Sequence, residues 1–391
     1  MERVYLDNCI TSKPDPEVIA AMMPYFTEKY YFPANFVSTG SSIQADLDDF
    51  KHIIADSMGA KVSEIHFTSG GTSANNIGIK GYLMANSNKG THIICSVIDY
   101  PDILTNAAFF ENSGFDVTYL NADYDGFVDL DELKAAIRPD TIMMMTTFAN
   151  HVMGTIQPIK EMRKILDDSG HNIALFVDAA HAYGRIDIDV NEYGIDLMSV
   201  SAHKIHGPQG VGALYVKNGI QLVATKHGIN RLDSLDTGGI SIAAIAGFAK
   251  AVQLQFSDLQ VHIAKIVALR ERLYEGIKKN IPHILLNGPD GNKRIAHNLN
   301  VSFDYIEGEA ILMMLDVNNI TVATGSACAS QGLKPNYILM ATGRNFVQSH
   351  GSIKFTLSRF TTEEEIDYVI EKLTVIVKEL RSRSPLFNKN K

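Results

Sequence analysis

The chain is 391 residues long, 46% of them hydrophobic and 20% charged, with a formal net charge of −9. That length exceeds what one hydrophobic core usually organises, and the composition excludes a disordered or fibrous chain. The acidic balance, without any long Lys/Arg run, leaves no electrostatic footprint for nucleic acid, and the widely spaced Cys9, Cys95 and Cys328 form neither a disulfide framework nor a zinc motif.

The opening run Met1-Glu2-Arg3-Val4-Tyr5-Leu6-Asp7 reads as the start of a strand, without the basic and apolar segments of a secretory leader. No apolar stretch reaches bilayer length, so the expectation is a cytoplasmic protein without membrane contact. Short β-like runs follow at Ile65–Thr68, Thr91–Val97, Asp116–Leu120, Thr141–Thr147, Ile173–Asp178, Leu197–Ser201 and Gly212–Val216. Helical patterns such as Leu130–Ile137 and Ile159–Ser169 lie between them. The alternation predicts an α/β fold, a mostly parallel sheet flanked by helices, with its ligand site outside the strand C-terminal ends. Beyond Gly247 the pattern changes to a long helix over Ala251–Lys278, a strand at Asn298–Phe303, a helix near Gly308–Leu315, a Gly/Ser/Ala loop, a strand at Ser352–Leu357 and a final helix. This predicts a smaller α+β domain of residues 1–14 and 256–391 beside a large domain of residues 15–255.

Polar residues with chemistry to offer fall at the predicted strand ends. Thr68-Ser69-Gly70-Gly71-Thr72-Ser73 opens a helix, where backbone N–H groups and hydroxyls can converge on a phosphate; a plain βα turn with a Ser/Thr cap has the same look. Asp178 ends an apolar strand, where an unpaired carboxylate is costly and calls for a cation, either a structural ion pair or a protonated pyridine nitrogen. Ser201-Ala202-His203-Lys204 follows the next strand, and a half-buried lysine there can form a Schiff base with an aldehyde cofactor. Taken singly, each has a bland structural reading; in order along one sheet edge they point to one cofactor.

The ordered set resembles the class V aminotransferase-like enzymes, which use pyridoxal 5'-phosphate (PLP) on the type I fold with a seven-stranded sheet, and among them the cysteine desulfurases of iron-sulfur assembly. The similarity runs from Tyr5-Leu6-Asp7-Asn8 to Arg359-Phe360-Thr361-Thr362-Glu363. It implies Lys204 as the cofactor lysine, Asp178 as the pyridinium partner, His181 near the phenolic oxygen, and Gly71, Thr72, Ser201 and His203 around the phosphate. Within Ala323-Thr324-Gly325-Ser326-Ala327-Cys328-Ala329-Ser330, Cys328 resembles the sulfur-accepting cysteine; Cys9 and Cys95, in strand-like runs, read as buried structural thiols. The implied reaction takes L-cysteine to alanine and leaves a persulfide on Cys328 for a sulfur-acceptor protein, in a homodimer without a metal.

Several pocket positions depart from the desulfurase pattern. Tyr100 stands where a ring-stacking, proton-shuttling histidine is expected, and His151, where an asparagine is expected, could take over the acid/base task. Lys354 replaces the arginine that clamps the substrate carboxylate, with Arg344 or Arg359 as substitutes, and Phe32, with Asn35 nearby, replaces a helping asparagine. At the phosphate end Thr237 is left to do what a partner-subunit threonine does. These changes keep open a PLP lyase or transferase for another amino acid, and a non-catalytic scaffold that kept only the fold.

Overall fold

The computed structural model describes residues 2–33, 38–228, 235–237, 241–324 and 335–388. The chain enters through β1 (Val4–Tyr5) and then lays down β2 (Ile65–Thr68), β3 (His92–Ser96), β4 (Asp116–Leu120), β5 (Thr141–Thr147), β6 (Ala174–Asp178), β7 (Leu197–Ser201) and β8 (Gly212–Val216). All but β1 join one sheet in the order β2-β8-β7-β6-β5-β3-β4. Its pairs are parallel except where β8 meets β7 and β2, so β8 alone runs backwards. Side chains alternate across the strands: Ile93, Cys95, Met143, Met145 and Phe176 pack under one helical layer, and Ile94, Met144, Leu175 and Val177 under the other. Both faces are covered, which is why these strands read as unbroken apolar runs. The helix Gly71–Asn86 lies very close to the sheet because Gly78 carries no side chain; a Cβ there would come within 2.7 Å of the Phe176 ring.

The expected helix over Ala251–Lys278 is two helices, Ile242–Phe256 and Leu259–Asn280. The break falls at Ser257-Asp258, where Ser257 Oγ donates to the Leu254 carbonyl at 3.3 Å, offering the backbone an alternative to the helical ladder. The first of the pair starts early because the Ser241 side chain accepts from the Ala244 N–H at 3.3 Å.

A second sheet combines β9 (Ile284–Leu286), β10 (Asn298–Phe303), β12 (Ala323–Thr324) and β13 (Ser352–Thr356) in the antiparallel order β12-β13-β10-β9, while β11 (Ile320–Thr321) pairs in parallel with β1. Val301, Phe303 and Phe355 of this sheet pack with Leu273, Ile311 and Leu373 from the flanking helices, and Val4 and Leu6 join the same cluster. From β1 the chain crosses to the large sheet. Asp7 bridges to Thr356, the Cys9 N–H donates to Thr356 Oγ1 at 2.9 Å, and Ser12 Oγ donates to the His203 carbonyl at 2.7 Å. The turn 7–12 is thereby clamped between β13 and the segment after β7. Among the described residues no helix is long and apolar enough to cross a membrane.

Candidate functional site

A cavity of about 900 Å³ opens at the C-terminal edge of the large sheet, where β2, β6 and β7 end. At one end Gly70, with φ 139°, is the N-cap of the helix Gly71–Asn86. No side chain caps that helix, so the first-turn N–H groups of Gly71 and Thr72, which line the cavity, are open to an anion at the helix's positive end. Ser201 abuts this turn, and its Oγ lies 2.9 Å from His203 Nδ1. Asp236, invisible to motif reading, fixes the turn from outside: Oδ2 accepts from the Ser69 N–H at 2.9 Å and from Ser73 Oγ at 2.7 Å, and Lys226 pairs with its other oxygen. Thr237 sits beside Gly228 and does not line the cavity of this single chain.

Asp178, at the end of β6, is 2% exposed. Its Oδ1 accepts from the Ala180 N–H and its Oδ2 from Asn75 Nδ2, both at 2.9 Å. Among the described residues no cation forms an ion pair with it, and burial raises its carboxyl above the usual range. Lys204 closes the short 3-10 turn Ala202–Lys204 after β7. Its Nζ donates to the carbonyls of Cys9 and Ile10, the latter at 2.9 Å. Burial lowers its pKa from the ordinary lysine value, and the Arg185 and Lys354 cations add to the effect. Lys204, Asp178 and the Gly71 turn thus line one cavity.

Three rings meet above them. Tyr100, whose N–H donates to Thr147 Oγ1 at 3.1 Å, makes an edge contact with His151 at 4.8 Å between centroids, and His151 stacks on His181 at 5.6 Å. Asn150 sets the turn that presents His151: its Oδ1 accepts from the N–H groups of Val152 and Met153 at 3.0 and 2.9 Å. His151 Nδ1 is buried without a hydrogen-bond partner. Burial, with the Lys354 and Lys204 cations, drives its pKa well down, and burial does the same to His181.

Lys354, on β13, is buried, and its Nζ donates to Cys9 Sγ at 3.2 Å. Cys95 is a core thiol whose pKa burial pushes well up, as expected, but Cys9 is not merely core: it lies in a turn, with Sγ 3.8 Å from His181 Nδ1. The suggested substitutes for an arginine clamp are both engaged elsewhere. Arg359 pairs with Asp15 at 2.6 Å and Gln255 at 2.9 Å, while Arg344 bonds Asn287 at 3.0 Å and stacks on Tyr124. Phe32 is half-exposed and not part of the cavity lining; Asn35 and Cys328 lie outside the described residues. Among the described residues no His/Cys/Asp/Glu cluster could hold a metal ion.

The buried histidines set the acid behaviour of the protein. Burial holds His151, His181 and His297 well below the usual imidazole value and His203 and His206 at about 4. In the unfolded chain they titrate near ~6.5. The folded state therefore binds fewer protons between these values. Stability present above about pH 6.5 is lost as the pH falls, by up to about 1.4 kcal/mol per unit for each histidine. Asp99, at about 6, and Asp7 and Asp178, both raised, act with the opposite sign, but they are fewer. Urea unfolding of the cofactor-free protein should show a lower midpoint at about pH 5 than at about pH 7.5; an equal or higher midpoint would contradict neutral buried imidazoles.

The aminotransferase class-V family matches residues 4–369. Cysteine desulfurase IscS of Dictyoglomus turgidum is 41% identical over 382 residues, 98% of this chain and 96% of the relative. The same enzyme from Methanosarcina thermophila is 41% identical over 383 residues, 98% of this chain and 94% of the relative. Among solved structures, a NifS-like protein superposes with a TM-score of 0.91 at 28% identity, covering 97% of this chain and 100% of its own. SspA in complex with cysteine gives a TM-score of 0.79 at 27% identity, covering 92% of this chain and 100% of its own.

Proposed function

Since the chain belongs to the class-V aminotransferase family, on its cysteine desulfurase branch, we propose that it is a PLP enzyme that takes sulfur from L-cysteine, releases alanine and passes the sulfur on from Cys328. The observation that carries the reading is Asp178, a buried carboxylate with no ion-pair partner among the described residues, in one cavity with Lys204 and an uncapped helix start. PLP has a basic ring nitrogen, an aldehyde and a phosphate, and these features match them in kind. Asp178 would face the nitrogen, Lys204 the aldehyde, and Gly71, Thr72, Ser201 and His203 the phosphate, while Thr237, outside the cavity of one chain, would reach a phosphate only across a homodimer. His181 would lie by the phenolic oxygen, with Tyr100 and His151 against the ring. When bound, the cofactor supplies an electron sink for the bonds around the substrate's Cα.

The chain's own residues do the rest. Lys204, its pKa lowered by burial, offers a free amine to hold the cofactor and to carry protons at the substrate carbon. His151 is held neutral, which leaves its ring a hydrogen-bonding group but a weak base while the Lys354 and Lys204 charges stand beside it. Lys354 meets the substrate carboxylate as a point charge. The Cys328 thiolate attacks the substrate sulfur: the S–S bond forms, the substrate C–S bond breaks with its electron pair going to carbon, and protonation gives alanine. A homodimer, a sulfur-acceptor protein and a cytoplasmic location belong to the same proposal, as does a division into residues 15–255 and residues 1–14 with 256–391. The joint packing of Val4 and Leu6 with Leu273, Phe355 and Leu373 supports that division.

Purified protein given L-cysteine and a reductant should release alanine and sulfide, and Cys328→Ser should lose roughly 100-fold in turnover while keeping the cofactor's yellow colour. A fully active Cys328→Ser protein would sink the persulfide step. A second reading, a lyase or transferase for another amino acid, draws on the lysine in the carboxylate position. A panel of amino acids decides it: if L-cysteine alone perturbs the cofactor absorbance, that reading is rejected.

A further inference from the structure

Cys9 touches two buried lysines, Lys204, which lines the cavity, and Lys354, which lies on β13 beyond its lining. Its carbonyl accepts from Lys204 Nζ and its sulfur from Lys354 Nζ at 3.2 Å, while its own N–H is tied to Thr356 Oγ1 at 2.9 Å. Lys354 is 5% exposed, and among the described residues Cys9 Sγ is the one hydrogen-bond acceptor its ammonium has. An ammonium carries three donors, so about two of them point at nothing, and a buried cation in that condition is costly. Nearby, His151 Nδ1 and Asp7 Oδ1 are likewise buried without partners, and both groups feel the Lys354 charge. The unused donors of the Lys354 ammonium mark the place of an anionic ligand, and the Asp7 carboxylate nearby supplies part of the counter-charge.

We infer that Cys9 is a specificity-determining positioning residue, whose sulfur fixes the Lys354 ammonium where it meets a substrate carboxylate, so that the two side chains together form the carboxylate clamp. The inference rests on the PLP reading above. A lysine ends in a strongly hydrated point charge on a flexible stem, and without a fixed acceptor it has no single direction. Sulfur suits the task because it is a weak acceptor: it orients the ammonium while leaving the other donors and the positive charge for the ligand. The same contact limits the size of residue 354. With Sγ 3.2 Å from Nζ, a planar guanidinium has no room until Cys9 is made smaller.

Binding to the PLP-loaded protein, followed by cofactor absorbance, tests this with L-alanine and with ethylamine, which is L-alanine without its carboxylate. Cys9→Ala should weaken L-alanine about 3–10-fold and leave ethylamine within about twofold. With the turned-over substrate it should raise KM more than it lowers kcat. Cys9→Ser, which keeps an acceptor, should restore most of the affinity, and Lys354→Arg should bind L-alanine better when combined with Cys9→Ala than alone. In a Lys354→Met background Cys9→Ala should have no further effect. Equal weakening of both ligands, or the same loss without Lys354, would overturn the inference. Failure of the wild type to turn over L-cysteine would remove the desulfurase assignment but leave the L-alanine to ethylamine ratio as a valid reading of the clamp.

Discussion

Lys204→Ala is expected to lower turnover by more than about 1000-fold and to leave a folded protein that retains no cofactor through borohydride reduction. The expectation follows from how the side chain is held. Its ammonium is taken out of water at the end of β7 and given the carbonyls of Cys9 and Ile10 as acceptors, with burial pulling its pKa down. A structural lysine so buried would be matched to a carboxylate, yet among the described residues Lys204 forms no ion pair. Backbone carbonyls hold the amine in place without supplying the negative charge that would lock it protonated. Mass analysis of the reduced wild type should find the cofactor's mass on the peptide containing Lys204. A Lys204→Ala protein that keeps the modification, or that turns over at wild-type rates, would move the catalytic amine elsewhere, and Lys354 would be the next to examine.

The same lysine shows what a linear sequence can and cannot reveal. That Gly71, Asp178 and Lys204 would line one cavity was legible because each part is local: a strand end followed within a few residues by a glycine turn, an acid or a lysine, on strands whose parallel order brings their ends to one edge. The contact of Cys9 with Lys354 was not, since the two stand 345 positions apart and meet only because β1 joins β11 and the turn 7–12 leans on Thr356. Read alone, Cys9 looked like an inert core thiol. Arg359 misled for the mirror-image reason: its partner Asp15 is 344 positions away, and nothing local reveals that the guanidinium is already engaged. The split of the long helix at Ser257-Asp258 lay within reach of sequence reasoning, since both residue types compete for backbone hydrogen bonds, but the apolar periodicity on either side hid it.

Asp178→Asn should move stability and activity in opposite directions. In the cofactor-free protein the carboxylate is buried without a cation, and its pKa is raised by that burial. A carboxyl whose folded pKa lies above its unfolded one contributes stability below the unfolded value, near ~3.9, and loses it as the pH rises through the folded value. At neutral pH it therefore weakens the empty fold. Asparagine keeps the shape and the acceptor for the Ala180 N–H. Its new N–H can be met by Asn75, whose Oδ1 is buried without a partner and becomes an acceptor once the amide turns over, at the cost of the long 3.3 Å bond from Asn75 Nδ2 to Asp102 Oδ2. The empty variant should then be more stable than the wild type by about 1–3 kcal/mol at neutral pH, with the advantage shrinking as the pH falls. With the cofactor present the order reverses, because an amide cannot hold the ring nitrogen protonated, and turnover should fall about 100–1000-fold. Urea unfolding with and without cofactor separates the two effects. A variant destabilised when empty at neutral pH would mean that Asp178 already has its counter-charge within the protein, and the strongest physical reason for placing a pyridine nitrogen beside it would be gone.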